Sequence, residues 1–293
     1  MLRLVVAALI LTAVFGLLER RYRGRVPIAP EATDDPAARR RFGLRRDTRT
    51  DLIYWLFTPL VTRTISLVGL FLAIILLAAV KGVELDRESG LGPLLAGSPI
   101  VAQARWLQVI EVVLLIDFSA YWIHRAFHRG RLWRFHAVHH SPRRLTWLSS
   151  VRLHPVNDLL ARIVQVVALL ALGFDPTVLA GVVPFTGFYG LLLHARVPWE
   201  FGPLRYVIAS PAFHRWHHSA EREAMDTNFA GLLPIWDLLF GTFHMPRGRL
   251  PTHLGVADEA VPEGFWAQLV WPIRRRAAHP PATASDAAAA VAG

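Results

Sequence analysis

The stretch Trp122-Ile-His-Arg-Ala-Phe-His-Arg-Gly-Arg-Leu-Trp-Arg-Phe-His-Ala-Val-His-His140 follows an apolar run and carries five histidines: His124, His128, His136, His139 and His140. A second stretch, Phe213-His-Arg-Trp-His-His218, adds His214, His217 and His218. On a helix, residues three and four apart share a face. His124 and His128 have that spacing, and so do the members of 136–139–140 and 214–217–218. Each cluster can therefore aim two or three imidazoles at one point. Neutral imidazole is the commonest side-chain metal ligand and suits iron, zinc, copper and nickel. Eight such ligands exceed the roughly four to six that one first-row ion takes, and they suit two ions sharing a cage.

The surrounding chain is apolar. It has 293 residues, 53% of them hydrophobic, with a mean hydropathy of +0.35. Soluble domains sit nearer 45–50% apolar. Several runs approach the ~20 residues needed to cross a bilayer, which predicts an all-α integral membrane bundle of about four to five spans, including a hairpin. The formal charge is +10, mostly from arginine. The arginines flank apolar runs, so membrane orientation explains them better than nucleic acid. There is no cysteine, which excludes Cys-ligated zinc and Cys-ligated iron–sulfur clusters in this chain.

In chain order, residues 2–18 predict a first span, retained because no small-residue cleavage site follows it. Residues 26–50 read as a polar loop. Pro59 and Arg63 interrupt the next apolar segment, which predicts a span over 64–80 with a kinked lead-in. A span over 106–123 contains Glu111 and Asp117, and ionisable groups at that depth usually face the protein interior. Gly173-Phe-Asp-Pro176 breaks a hairpin of spans 159–172 and 177–194. The Ala/Pro tail after Arg276 predicts disorder. Three parts follow: residues 1–50 with the first span and basic loop, a membrane catalytic unit over 51–250, and a C-terminal segment over 251–293. Arginine crowds 20–25, 39–49, 125–144 and 274–276. By the positive-inside rule these groups are cytoplasmic, and the histidine clusters form a cap on that side of the membrane, the inner membrane if the chain is bacterial.

The three boxes, HxxxH at 124–128 and HxxHH at 136–140 and 214–218, resemble the fatty acid hydroxylase / sterol desaturase superfamily of membrane di-iron enzymes, in its bacterial type. Val151-Arg-Leu-His-Pro155, Ser210-Pro-Ala-Phe-His-Arg-Trp-His-His-Ser219 and Asp226-Thr-Asn-Phe-Ala-Gly-Leu-Leu-Pro-Ile-Trp-Asp-Leu-Leu-Phe-Gly-Thr-Phe243 extend the likeness, which covers roughly 50–245. Phe229-Ala230 departs from the Tyr-Gly of many sterol-type members, which weakens a sterol assignment.

The resemblance implies two non-haem irons, with zinc as a substitute in purified protein. It also implies O2 activation and hydrogen abstraction from an unactivated C–H bond of a lipid, ending in a hydroxyl or an alkene. The lipid is left open among sterol, fatty acyl, alkyl-glycerol and related classes. The two electrons must come from a separate donor, a ferredoxin or a cytochrome b5-like protein with its reductase. No nucleic-acid partner is expected. The resemblance adds His194, twenty residues before the third box, to the eight boxed histidines as a metal ligand. His154, Asp117, Asn157, Asn228 and Asp237 stand as further ligands or as groups orienting ligands. His154 is equally a helix-start residue, and Asp117 equally an arginine partner.

Three rival functions remain at this level. A metal transporter or b-type cytochrome would place histidines within the spans, whereas these follow span ends. A membrane zinc hydrolase of the zincin kind needs Glu beside the first His, where this chain has Arg125. A non-catalytic metal-binding membrane protein would use the same histidines. Trp122, Trp133, Trp147, Trp216 and Trp236 are expected as interfacial anchors, and His244, His253 and His279 as surface residues.

Overall fold

Apolar runs with no competing strand signal fold as helices, and in the computed structural model, which describes residues 2–22, 24–27, 46–257 and 261–274, the regular secondary structure is helical apart from one isolated bridge between Ser219 and Leu254. The expected polar loop and Ala/Pro tail, with His279, lie largely outside those residues. The long helices are α1 (Leu2–Arg21), α2 (Arg46–Phe57), α3 (Arg63–Lys81) and α4 (Arg105–Phe127). After the short α5 (Trp133–His140) come the paired helices α6 (Pro155–Leu172) and α7 (Pro176–His194). The short helices α8 (Pro211–His217), α9 (Ile235–Leu239) and α10 (Phe265–Val270) follow.

Among the described residues, four segments are long and apolar enough to cross a membrane: Asp47–Lys81, Arg105–Phe127, Pro155–Leu172 and Pro176–His194. The chain is an integral membrane protein. The first of these stays helical through Pro59, in the lead-in to the span that the sequence reads as kinked. Proline lacks an N–H, and the backbone accommodates it by widening to a π turn, Thr58–Thr62, with the Arg63 N–H returning to the Thr58 carbonyl. α6 begins at Pro155, four residues before the expected start. Proline at the first helical position and His154, whose Nδ1 accepts the Val156 N–H at 3.2 Å, supply an N-terminus there.

α3 lies along α6. Gly69 permits the approach, since a Cβ there would stand 2.6 Å from Leu159 Cδ1. Ser66 donates to Asp158 at 2.7 Å across the same contact. α4 packs on both α6 and α7 through Val112, Ile116, Leu169, Val178 and Val182. The hairpin between α6 and α7 turns at Gly173, φ 91°, and Asp175 caps α7 by accepting the Thr177 N–H at 2.8 Å. α1 docks through Phe15, which stacks on Trp147 at 5.5 Å. Two of the expected anchors, Trp147 and Trp216, are buried instead. Trp216 joins Tyr121, Phe213 and Phe229 in the cluster that packs α8 onto α4 and α7.

Candidate metal centre

The histidines sit where helices end. The last turn of α4 carries His124, and His128 is its C-cap. α5 carries His136, His139 and His140, and α7 ends on His194. α8, started by Pro211 and by the Ser210 hydroxyl accepting the Phe213 N–H at 3.1 Å, carries His214 and His217 and ends on His218. These ends converge, and the nine rings fall into two groups. His124, His128, His136, His140 and His217 form one; His139, His194, His214 and His218 form the other. Within each group the ligand nitrogens all lie within 4.8 Å of one another. Each HxxHH box is thus shared. Its i and i+4 members, nearly eclipsed on the helix, face one group, and the i+3 member turns to the other.

Six of the nine rings are pinned through Nδ1 to an oxygen. His124 meets the Phe229 carbonyl at 2.8 Å, His139 the Arg152 carbonyl at 3.1 Å, His194 the Gly190 carbonyl at 2.8 Å and His217 the Thr227 carbonyl at 2.7 Å. His136 meets Asn157 Oδ1 at 2.9 Å, and His128 meets Asp226 Oδ1 at 3.2 Å. Each acceptor takes the ring's one N–H, which leaves a lone pair on Nε2. In both groups two such lone pairs face each other. His124 Nε2 stands 2.9 Å from His136 Nε2, and His139 Nε2 stands 3.2 Å from His194 Nε2. With both protons spent at Nδ1, neither contact is an N–H···N bond. Nitrogens about 2.1 Å from one shared cation would stand about 3.0–3.4 Å apart. The Nε2 atoms of His128, His140 and His217 are likewise buried with no protein partner. The donor set fits metal ions.

Burial, and then the neighbouring histidines, hold His136, His139, His140, His214, His217 and His218 well below the usual imidazole range. They are neutral at pH 7, the form that binds metal.

The other sequence candidates take separate places. Asn157 touches His136 directly. His154 lies outside both groups; its Nε2 meets the Leu269 carbonyl at 3.0 Å while Nδ1 caps α6. Asp117 contacts neither a boxed histidine nor Arg125. It accepts the Leu232 and Leu233 N–H groups at 2.7 and 2.8 Å and Trp236 Nε1 at 3.0 Å. Asp237 accepts the Phe229 and Ala230 N–H groups at 2.8 and 2.9 Å. Asn228 donates to the Phe213 and His244 carbonyls at 2.9 and 2.6 Å. His244 is half-buried against Trp216, 5.0 Å between rings, rather than on the surface.

The segment 226–229 therefore orients three of the five rings of one group, through Asp226, Thr227 and Phe229. Asp226 was not singled out in the sequence, although it opens the quoted Asp226–Phe243 stretch. Also unforeseen is Arg152, buried and bonded to Asp51 at 2.6 Å and Asp47 at 3.0 Å, whose carbonyl holds His139. A cavity of about 320 Å³ reaches the five-histidine group, lined by His128, His140 and His217 with Trp133, Met225 and Asp226.

Fold and site together define an integral membrane helical protein with buried histidine groups able to hold metal. Residues 109–242 match the fatty acid hydroxylase family. It is 38% identical over 176 residues to ornithine lipid hydroxylase OlsE of Rhizobium tropici, covering 59% of this chain and 53% of that protein. It is 35% identical over 136 residues to alkylglycerol monooxygenase of Homo sapiens, covering 46% of this chain and 30% of that protein. A very-long-chain aldehyde decarbonylase, GL1-6 of Oryza sativa subsp. indica, is 32% identical over 142 residues, 43% of this chain and 21% of that one. The chain thus spans about half or less of the curated relatives it matches. No solved structure matches it.

Proposed function

We propose that this chain is a membrane di-iron monooxygenase that hydroxylates an unactivated C–H position of a polar membrane lipid. The observation that carries it is the pair of facing Nε2 lone pairs, one in each histidine group, with every ring involved pinned at Nδ1. His124, His128, His136, His140 and His217 would hold one ion, and His139, His194, His214 and His218 the other. When bound, iron supplies O2 activation and removal of the hydrogen atom.

The chain's own part is positioning and exclusion. Acceptors at Nδ1 fix six of the nine rings before metal arrives, so little reorganisation of those rings accompanies binding. Trp133 and Met225 give the cavity beside His128, His140 and His217 an apolar wall for the lipid carbon. Hydrogen-atom removal needs no general base, and none has to be assigned. One oxygen atom enters the lipid as a hydroxyl; the other leaves as water with two electrons and two protons. The electrons come from a separate ferredoxin or a cytochrome b5-like protein with its reductase, reaching a cytoplasmic histidine face. The names of the relatives, ornithine lipid hydroxylase and alkylglycerol monooxygenase, favour hydroxylation over desaturation and a lipid with a polar head.

The test is reconstitution with iron, a reductase system and lipid extract. Product should require both O2 and reductant, and its new oxygen should come from labelled O2. Equal product under argon, or oxygen from labelled water, would overturn the proposal in favour of a zinc hydrolase.

A further inference from the structure

We infer that α9 and the residue after it, Ile235–Phe240, lie in the membrane surface as an interfacial element outside the four spans. The helix is only five residues long, yet its outward side chains Ile235, Leu238 and Leu239 are exposed, Leu239 at 65%, and so is Phe240 beside them. Such a run of large apolar groups on a short helix needs a cover.

Its position names that cover. Trp236 packs edge-on against Phe118 at 5.0 Å, and Phe240 against Trp122 at 4.8 Å. Phe118 and Trp122 belong to α4, a candidate span, and the exposed side chains of α4 at Ile110, Leu114 and Phe118 lead up to this contact. The apolar face of α9 thus continues the surface that α4 turns to lipid. Depth agrees. At about 1.5 Å per residue, Phe118 lies about 10 Å along α4 from Arg125, and the Arg125 guanidinium folds back toward the Trp122 ring, 5.6 Å away. Arginine heads and tryptophan rings mark the headgroup level. An amphipathic helix at that level sinks about 5–10 Å into the boundary of headgroups and chains.

The opposite face of the same helix is polar and bonded inward. Asp237 holds Phe229 and Ala230, and Trp236 holds Asp117. Phe229 in turn orients His124. A lipid-seated α9 would therefore set the depth of the five-histidine group against the membrane surface. This inference rests on the membrane spans and not on the proposed reaction.

The chain has no cysteine, so Leu239→Cys and Ile235→Cys each give a single labelling site. The full chain, carrying an environment-sensitive fluorophore, is reconstituted in phosphatidylcholine/phosphatidylglycerol vesicles. Lipid with a nitroxide near the headgroup end of its acyl chain should quench the greater part of the emission at both positions, and aqueous iodide should quench little. A label at Arg222→Cys, on an exposed turn, should behave in the opposite way. Quenching of the α9 labels by iodide would overturn the inference, because the face would then meet water. Protection from both quenchers would overturn it as well, because protein would then cover the face. Both readings are independent of turnover and of metal content.

Discussion

The Nδ1 of His124 lies 2.8 Å from the Phe229 carbonyl, and the N–H of the same Phe229 is held at 2.8 Å by the buried carboxylate of Asp237. Asp237 also takes the Thr242 hydroxyl at 2.6 Å, Thr242 meets the Tyr121 hydroxyl at 3.0 Å, and Arg125 donates to Tyr121 at 3.0 Å. The links close on α4, which carries Tyr121, His124 and Arg125. A candidate ligand and its orienting carbonyl are thus tied to one carboxylate eight residues downstream of that carbonyl. Asp237→Asn should break this tie, because an amide offers one acceptor and turns its NH2 toward a donor. Weakening of about 10–100-fold is expected for the ion of the five-histidine group, with the other ion kept. Metal per chain after dialysis against a chelator should fall from two toward one. Two ions retained as firmly as in the wild type would count against the assignment.

His217→Ala and His139→Ala probe the division directly, since they remove one ring from different groups. Each should lower iron content by about one ion per chain, and the double variant should hold little. A single variant that loses both ions together would mean one shared site rather than two.

Arg152 is held by Asp51 and Asp47, and its carbonyl orients His139. Arg152→Met leaves two carboxylates without their partner, one of them buried. Breaking a buried pair costs about 3–5 kcal/mol. The thermal midpoint of the variant in detergent should drop, and the four-histidine group should loosen with it. Asp51→Leu combined with Arg152→Met should recover part of the stability, because the buried charge goes too.

A cytoplasmic histidine face is expected from the arginine pattern. Arg143→Cys and Arg247→Cys, both at exposed positions, should react with an impermeant thiol reagent only after the cytoplasmic side is opened. Labelling of either in intact cells would invert the topology.

Much of this arrangement was legible in the chain. Apolar run length marked the four long segments, histidine spacing marked eight of the nine rings that lie together, and the family resemblance added His194. The division into five and four was not legible, because it depends on how α5 and α8 rotate against each other. Most of the orienting acceptors are backbone carbonyls, at Arg152, Gly190, Thr227 and Phe229, and every residue carries one. No residue type announces which carbonyl will face a ring. Asp117 illustrates the opposite case. Its helical register with His124 pointed to a ligand partner, yet the segment 232–236, where the chain enters α9, offers three donors and takes the carboxylate first. Pro59 marks an irregular lead-in to the span, but a π turn leaves no sequence signal beyond the proline itself.

The last expectation concerns pH. Burial keeps His136, His139, His140, His214, His217 and His218 well below the usual imidazole pKa in the metal-free fold. In the unfolded chain the same rings titrate near 6.5. Below that pH the unfolded state binds more protons than the folded one, so stability falls as pH falls. Above it both states are neutral at these rings and the term vanishes. Metal-free protein should therefore show a flat thermal midpoint from about pH 8 to about 7 and a steep decline below about 6.5. The limiting slope is about 1.4 kcal/mol per pH unit for each ring. Bound metal occupies the same lone pairs, so the loaded protein should hold its midpoint to lower pH, until protons compete for the rings. Variants that remove one ring, such as His139→Ala, should show a shallower decline when metal-free. A metal-free midpoint that stays level to pH 5 would mean that the rings accept protons without unfolding, and that the histidine groups are far wetter than their burial implies.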